Sequence, residues 1–280
     1  MKVNVVSGKF YTIGRMALLG YAIFAVTACS SIPENDPEAA AEYRKINDPA
    51  EKANRYLFKF NQGVDNVVLK PVTGIYRIFP KFVRNGVHNF FHNLKTPVIL
   101  ANDILQGEPV RAGNTLTRFV INTTIGIGGV RDQASSWGIA RHSEDFGQTL
   151  AVWGFGEGPY LMLPILGPSN PRDAIGKVVD YFVDPITWWA RNNDEDWIPI
   201  TRTVMNTVNT RDRLWDVIED LEKSSIDYYA AVRSLYRQQR NREIANGQRP
   251  KEKKNSDLSG YFDLVKMDDL FVKSDVEPVK

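Results

Sequence analysis

The chain has a single cysteine, Cys29, among 280 residues, so no intramolecular disulfide can form. Histidine is nearly as scarce, at three residues. His88 and His92 stand four apart in His88-Asn89-Phe90-Phe91-His92, which is metal-ligand spacing on a helix, but the Glu of a zinc-protease motif is missing. We read them as helix-surface histidines and expect no metal. Charge of one sign is also lacking. The net charge is +2, from 35 basic and 33 acidic side chains. Removing Lys2, Lys9 and Arg15 from the leading 28 residues leaves 32 against 33. Such a balance carries no footprint for nucleic acid. No G-x-S-x-G elbow is present, and Ile175-Gly176-Lys177-Val178 lacks the upstream Gly and the Ser/Thr of a P-loop. Neither serine-lipase chemistry nor nucleotide binding has its marker, so no catalytic residue and no cofactor are expected. Long apolar runs are missing too: a membrane-crossing helix needs roughly 20 continuous apolar residues, and none is found.

What is present begins at the amino end. Lys2, Lys9 and Arg15 precede an apolar stretch from Met16 to Val26, then the small residues Thr27 and Ala28 before Cys29. This is a secretory signal, 1–28. Val26-Thr27-Ala28-Cys29 resembles a bacterial lipobox, which makes Cys29 the lipid-attachment residue, acylated as the new N-terminus. Ser30, not Asp, follows it, which by analogy with lipoprotein sorting favours the outer membrane. Several acyl chains at about 0.8 kcal/mol per buried methylene hold such an anchor.

Residues 29–47 are polar and read as a tether. Structure is expected from Asp48, with Asp48 and Glu51 as a capping box around Pro49. Tyr56, Leu57, Phe60, Val64, Val67 and Val68 then share a helical face, and Lys70-Pro71 is expected to end that helix. A second helix is predicted from Pro80 to Thr96, a third from Pro97 to about Gln106, and a fourth after Pro109. Later helices are predicted around Asp184-Pro185, from Trp197, and from a cap formed by Ser224 with Asp227. No regular apolar alternation is long enough for a sheet, so the chain reads as all-α. Residues 250–280 are charged and patternless, and read as a flexible tail.

Between them lies Phe146 to Pro168, an apolar stretch broken by Gly147, Gly154, Gly158, Pro159, Pro164, Gly167 and Pro168, with Glu157 as its only charge after Gln148. Such a stretch is too broken for one helix. It suits either a buried core loop or a hinged apolar loop beside a lipid. The aromatic stripes are equally ambiguous: Trp and Tyr favour the headgroup region of a bilayer, yet they also pack on one another.

Ordered motifs bear on the choice: Asn54-Arg55, Phe60-Asn61, Lys70-Pro71, Val83-Arg84-Asn85, Asn93-Leu94, Leu105-Gln106-Gly107, Arg118-Phe119, Asn122-Thr123-Thr124, Asp145 to Leu150, Gly158-Pro159-Tyr160 and Arg172-Asp173. Together they resemble the MlaA (VacJ) family over about Asp48 to Gly247, which sets a domain of 48–249. The resemblance implies a ring of amphipathic helices lying in the membrane interface around a central polar channel. It implies an outer-membrane lipoprotein on the periplasmic side that removes phospholipid from the outer leaflet. Its implied partners are a trimeric porin and a soluble periplasmic lipid carrier. A wet path for the headgroup suits the physics, since a phospholipid's tails cost on the order of 20 kcal/mol in water and its charges are costly in hydrocarbon. Gly147 to Pro168 is then expected to be the hinged loop beside the channel. A non-transporting anchor and a phospholipase are the competing classes.

Overall fold

The computed structural model describes residues 48–246. The signal segment, Cys29, the tether and the 250–280 tail lie outside the described residues. The architecture is helical, as expected, with one small addition. Helix α1 (Glu51–Val64) runs through a π-helical turn (Asp65–Leu69) into α2 (Lys70–Tyr76). Pro71 therefore does not end the helix. The widened turn lets the Lys70 N–H reach the Asp65 carbonyl, five residues back, which accommodates a proline that can neither donate nor fit a regular turn. The expected capping box is also absent: the cap residue Ala50 makes no side-chain bond, and Asp48 is buried with other partners.

Helix α3 (Lys81–Leu105) is one helix, with Pro97 inside it, where two were expected. Buried side chains on both sides of Pro97, from Asn93 and Thr96 to Val98, Ile99 and Asn102, hold the helix through the missing donor. Helix α4 (Pro109–Thr124) packs on α3, and the short α5 (Gln133–Ser136) on α4. Helix α6 (Phe146–Val152) is followed by β1 (Leu161–Leu163) and β2 (Gly167–Ser169), an antiparallel pair with Met162 opposite Pro168. Strands this short leave too little alternation to be seen in sequence. Helices α7 (Pro171–Val183) and α8 (Pro185–Asn192) are split at Asp184, which accepts from Thr187 N–H as the cap of α8. Helices α9 (Trp197–Arg213), α10 (Trp215–Ser224) and α11 (Tyr228–Ile244) complete the order. Asp227 alone caps α11, accepting from Ala230 N–H; Ser224, expected to share the cap, is the last residue of α10 and bonds back to Asp220 O.

Neighbour contacts close a circuit: α1 to β1, β1 to β2, then α11, α6, α3, α9, α2 and back through the π turn to α1. The distribution of side chains around it is inverted relative to a water-soluble globule. Tyr56, Val67, Ile78 and Phe82 are 75 to 80 % exposed, while Asp48, Asn54 and Asn102 are 2 % exposed. Among the described residues, buried polar and charged side chains far outnumber buried hydrophobic ones, the reverse of the usual order. The largest buried apolar cluster is small: Tyr160, Met162 and Tyr229, flanked by Leu57, Phe58 and Tyr236. No described helix is long and apolar enough to cross a membrane.

Candidate functional site

One arginine joins three helices. Arg240, on α11, donates through Nη2 to Asp145 Oδ1 at 2.6 Å and through Nη1 to Asp145 Oδ2 at 2.7 Å. Its Nε and Nη2 donate to the two oxygens of Asp173 at 2.8 and 3.1 Å. Both carboxylates sit at helix starts. Asp145 caps α6, accepting from Gln148 N–H at 3.0 Å, and Asp173 lies in the first turn of α7, capped by Asn170. Burial pushes both carboxyls up, but the Arg240 fork outweighs it and holds them below the usual carboxylate range. Tyr236 adds a 2.5 Å hydroxyl bond to Asp173. Two glycines let these groups meet. A Cβ on Gly176 of α7 would lie 2.2 Å from the Gly147 nitrogen of α6, and one on Gly147 would lie 2.6 Å from Arg240 Nη2.

A cavity of about 460 Å³ opens beside this cluster, within the range of roughly 300–1,000 Å³ typical of small-molecule sites. One wall is apolar: Leu214, Val217, Ile218 and Leu221 at α10, with Val232 and Leu235 of α11. The polar lining comes from Asp145, Asp173 and Lys177, with Gln239, Arg240 and Glu243 farther along α11. Lys177 retains an exposed surface, yet burial pushes its pKa down, against the pull of Asp173. A side chain that meets water while protein surrounds it stands in a walled, wet space. Among the described residues Lys177 makes no hydrogen bond or ion pair.

The seven candidate loop residues fall into three settings. Gly147 is not in a loop; it is buried inside α6 at the crossing with α7. Gly154 and Gly158 lie in the connection from α6 to β1 at φ of +92° and +72°, values that favour glycine. Pro159 follows, Pro164 starts the turn between the strands, and Gly167 and Pro168 belong to β2. Pro168 lines the cavity. The segment from Tyr160 to Ile165 is fastened to α1 by two asparagines that are seven residues apart. Asn54 donates to Tyr160 O at 3.0 Å and accepts from Met162 N–H at 2.9 Å. Asn61 donates to Leu163 O at 2.9 Å and accepts from Ile165 N–H at 2.7 Å. Their carboxamides do for the hairpin what a third strand would. The exposed runs of the stretch are 152–156 and the hairpin turn 164–166, with Phe155, Ile165 and Leu166 the most exposed large side chains, and Glu157 pairs with Arg237 at 2.8 Å.

The other polar clusters are closed mostly by their own members, with Arg111 Nε and Asn209 Oδ1 left without a hydrogen-bond partner. Asp103, His142 and Glu144 bring ligand-type atoms within 4.8 Å of one another. Thr115 donates to Asp103 at 2.5 Å, Gln106 donates to Glu144 at 2.9 Å, and Arg111 pairs with Glu144. His88 and His92 are not on the surface and do not share a site. His88 Nδ1 meets Asn209 Nδ2 at 3.0 Å, and His92 Nε2 meets the His142 carbonyl at 3.2 Å. Burial, then nearby arginines, lowers both rings to about 3. Asp48 receives Asn54 at 2.7 Å, Tyr229 at 2.5 Å and Arg233 at 2.7 Å, which ties the first described residue to α1 and α11. Sequence reading passed over Arg240, which looked like one of four arginines suited to a helix C-terminus, and Lys177, which looked like a failed P-loop. Their shared signal is tertiary.

The family model described as MlaA lipoprotein matches residues 46–243. The Escherichia coli K12 protein named intermembrane phospholipid transport system lipoprotein MlaA is 31 % identical over 261 residues, covering 90 % of this chain and 97 % of that one. Its namesake in Haemophilus influenzae is 36 % identical over 171 residues, 59 % of this chain and 66 % of its own. An uncharacterised protein of Rickettsia prowazekii is 34 % identical over 192 residues, 68 % of this chain and 75 % of that one. A solved structure described as the structural basis for maintenance of bacterial outer membrane lipid asymmetry superposes with a TM-score of 0.62 at 34 % identity. It covers 70 % of this chain and 98 % of the solved chain.

Proposed function

We infer, from the premise that this chain belongs to the MlaA lipoprotein family, that it is an outer-membrane lipoprotein anchored at Cys29 on the periplasmic side. It withdraws phospholipid from the outer leaflet and hands it to a soluble periplasmic carrier, and it makes and breaks no covalent bond. The observation that carries this reading is the inverted side-chain distribution. Apolar helix faces look outward, where acyl chains would cover them, and polar groups look inward. Outward Trp and Phe residues such as Trp188, Trp189 and Phe182 suit the headgroup boundary. The cavity beside Arg240, mostly apolar with a few charged side chains at its lining, suits a molecule that is mostly acyl chain with a charged head. A trimeric porin embedded in the same membrane would cover part of the outward face. The Trp153 to Gly158 connection, with its positive-φ glycines, is the hinge beside the path. Transport direction comes from partners, since the chain has no nucleotide motif.

The test is the amount of outer-leaflet phospholipid in a deletion strain complemented with wild type or with Phe82→Asp, which places a charge on a 76 % exposed apolar position. Deletion raises surface phospholipid, wild type restores the low level, and the variant fails to. Unchanged surface phospholipid in the deletion strain would overturn the transport reading. Release of free fatty acid by the purified protein would turn it toward an enzyme.

A further inference from the structure

We propose that Lys177 is the residue that recognises the lipid phosphodiester: of the cations lining the cavity it is the one in no described ion pair, and it lines the same cavity as the apolar side chains of α10 and α11. The proposal rests on the transport reading above and adds a named contact to it. The remaining charges in the cavity are spent on one another. Both oxygens of Asp145 accept from Arg240. Asp173 accepts from Arg240, Arg172, Tyr236 and Asn170. Glu243 accepts from Arg240 at 3.0 Å and Gln239 at 3.0 Å. An incoming ammonium group therefore finds no free carboxylate, whereas an incoming phosphate finds a free ammonium. Lysine binds phosphate as a compact point charge, and an anion placed beside Lys177 would offset the burial that now disfavours its charged form. Phosphate alone would leave the cavity's leucine, isoleucine and valine side chains in water. A lipid satisfies both linings at once, with its phosphodiester on Lys177 and its first methylenes along Leu221, Val232 and Leu235.

The experiment uses the full-length lipoprotein purified in non-ionic detergent, with co-purified lipid quantified by mass spectrometry. Lys177→Ala should carry about tenfold less phospholipid than wild type, a loss of roughly 1.4 kcal/mol. Lys177→Arg should recover most of it, and Lys177→Glu should carry least. Because the Lys177 side chain makes no described hydrogen bond or ion pair, Lys177→Ala and Lys177→Arg should melt close to wild type, while Lys177→Glu, which sets a third carboxylate near Asp173 and Asp145, should melt lower. Leu221→Asp, in the apolar lining, should also lose lipid. Equal lipid loading with the same headgroup profile in Lys177→Ala and Lys177→Glu would overturn the assignment and leave the transport reading standing. A wild-type protein that carries no phospholipid would overturn both. Inorganic phosphate is the second probe: failure to displace bound lipid supports the two-part site, and full displacement would make this a simple phosphate site and refute the lipid assignment.

Discussion

Replacing Arg240 with methionine keeps most of the side-chain volume and removes the charge that holds α6, α7 and α11 together. The variant leaves the partly covered Asp145 without its arginine and Asp173, 3 % exposed, with Arg172 as its remaining counter-ion. Breaking a buried pair from one side costs about 3–5 kcal/mol. In a domain of this size each kcal/mol moves the melting temperature by about 2–4 °C, so the expected drop is on the order of 6–20 °C. The pH dependence carries the sharper signature. In the wild type both carboxyls are held below their ordinary range, so their stabilisation is present at neutral pH and is lost as pH falls through their folded-state pKa. In the variant the strongest opposing charge is gone, and burial weighs more against the bonds that remain from Arg172, Tyr236 and Gln148 N–H, so protonation relieves the variant first. The gap between variant and wild type should therefore narrow between pH 7 and pH 4.5. Thermal unfolding in detergent, followed by circular dichroism at both pH values, measures it. Arg240→Lys should fall between the two, since one ammonium cannot span both carboxylates. A drop below about 2 °C at pH 7, well under the range above, or a gap that widens on acidification, would refute the reasoning.

Gly176→Ala places a methyl group 2.2 Å from backbone nitrogen, which must part α6 from α7; we expect a loss of about 1–3 kcal/mol or more, visible as a lower melting temperature. Asn61→Ala strips partners from Leu163 O and Ile165 N–H, at about 1–3 kcal/mol, and limited proteolysis should cut near residues 163–166 faster than in wild type. His88 and His92 titrate near 6.5 when unfolded but only at about 3 when folded, so the unfolded state gains protons first as pH falls through that window. At pH 5 each ring should cost about 2 kcal/mol, and the double variant His88→Gln with His92→Gln should flatten the loss of melting temperature between pH 7 and pH 5.

The sequence announced the helical faces but not which way they point. Periodicity identifies a stripe such as Tyr56, Phe60, Val67; it says nothing about what covers the stripe, and here the structure leaves it outward. Proline was a fair guide at Pro109 and Pro185, which open helices. It misled at Pro71 and Pro97, where a π turn and burial on both flanks absorbed the missing donor. Gly147 looked like a hinge because composition does not distinguish a glycine that bends from one that lets two helices touch. The cavity was not legible because Asp145, the Asp173 and Lys177 pair, and Arg240 come from three helices that are separated in the chain. Asn54 and Asn61 were visible as motif residues, but their grip on the hairpin depends on a segment about 100 residues away.

That grip also closes a surface. A two-stranded ribbon normally offers its rim to any extended peptide that passes, and copies crowded side by side in a leaflet would meet often. Here the rim at Tyr160, Met162 and Ile165 is already capped by carboxamides from a helix, so a neighbour's strand finds no ladder to lengthen on that side.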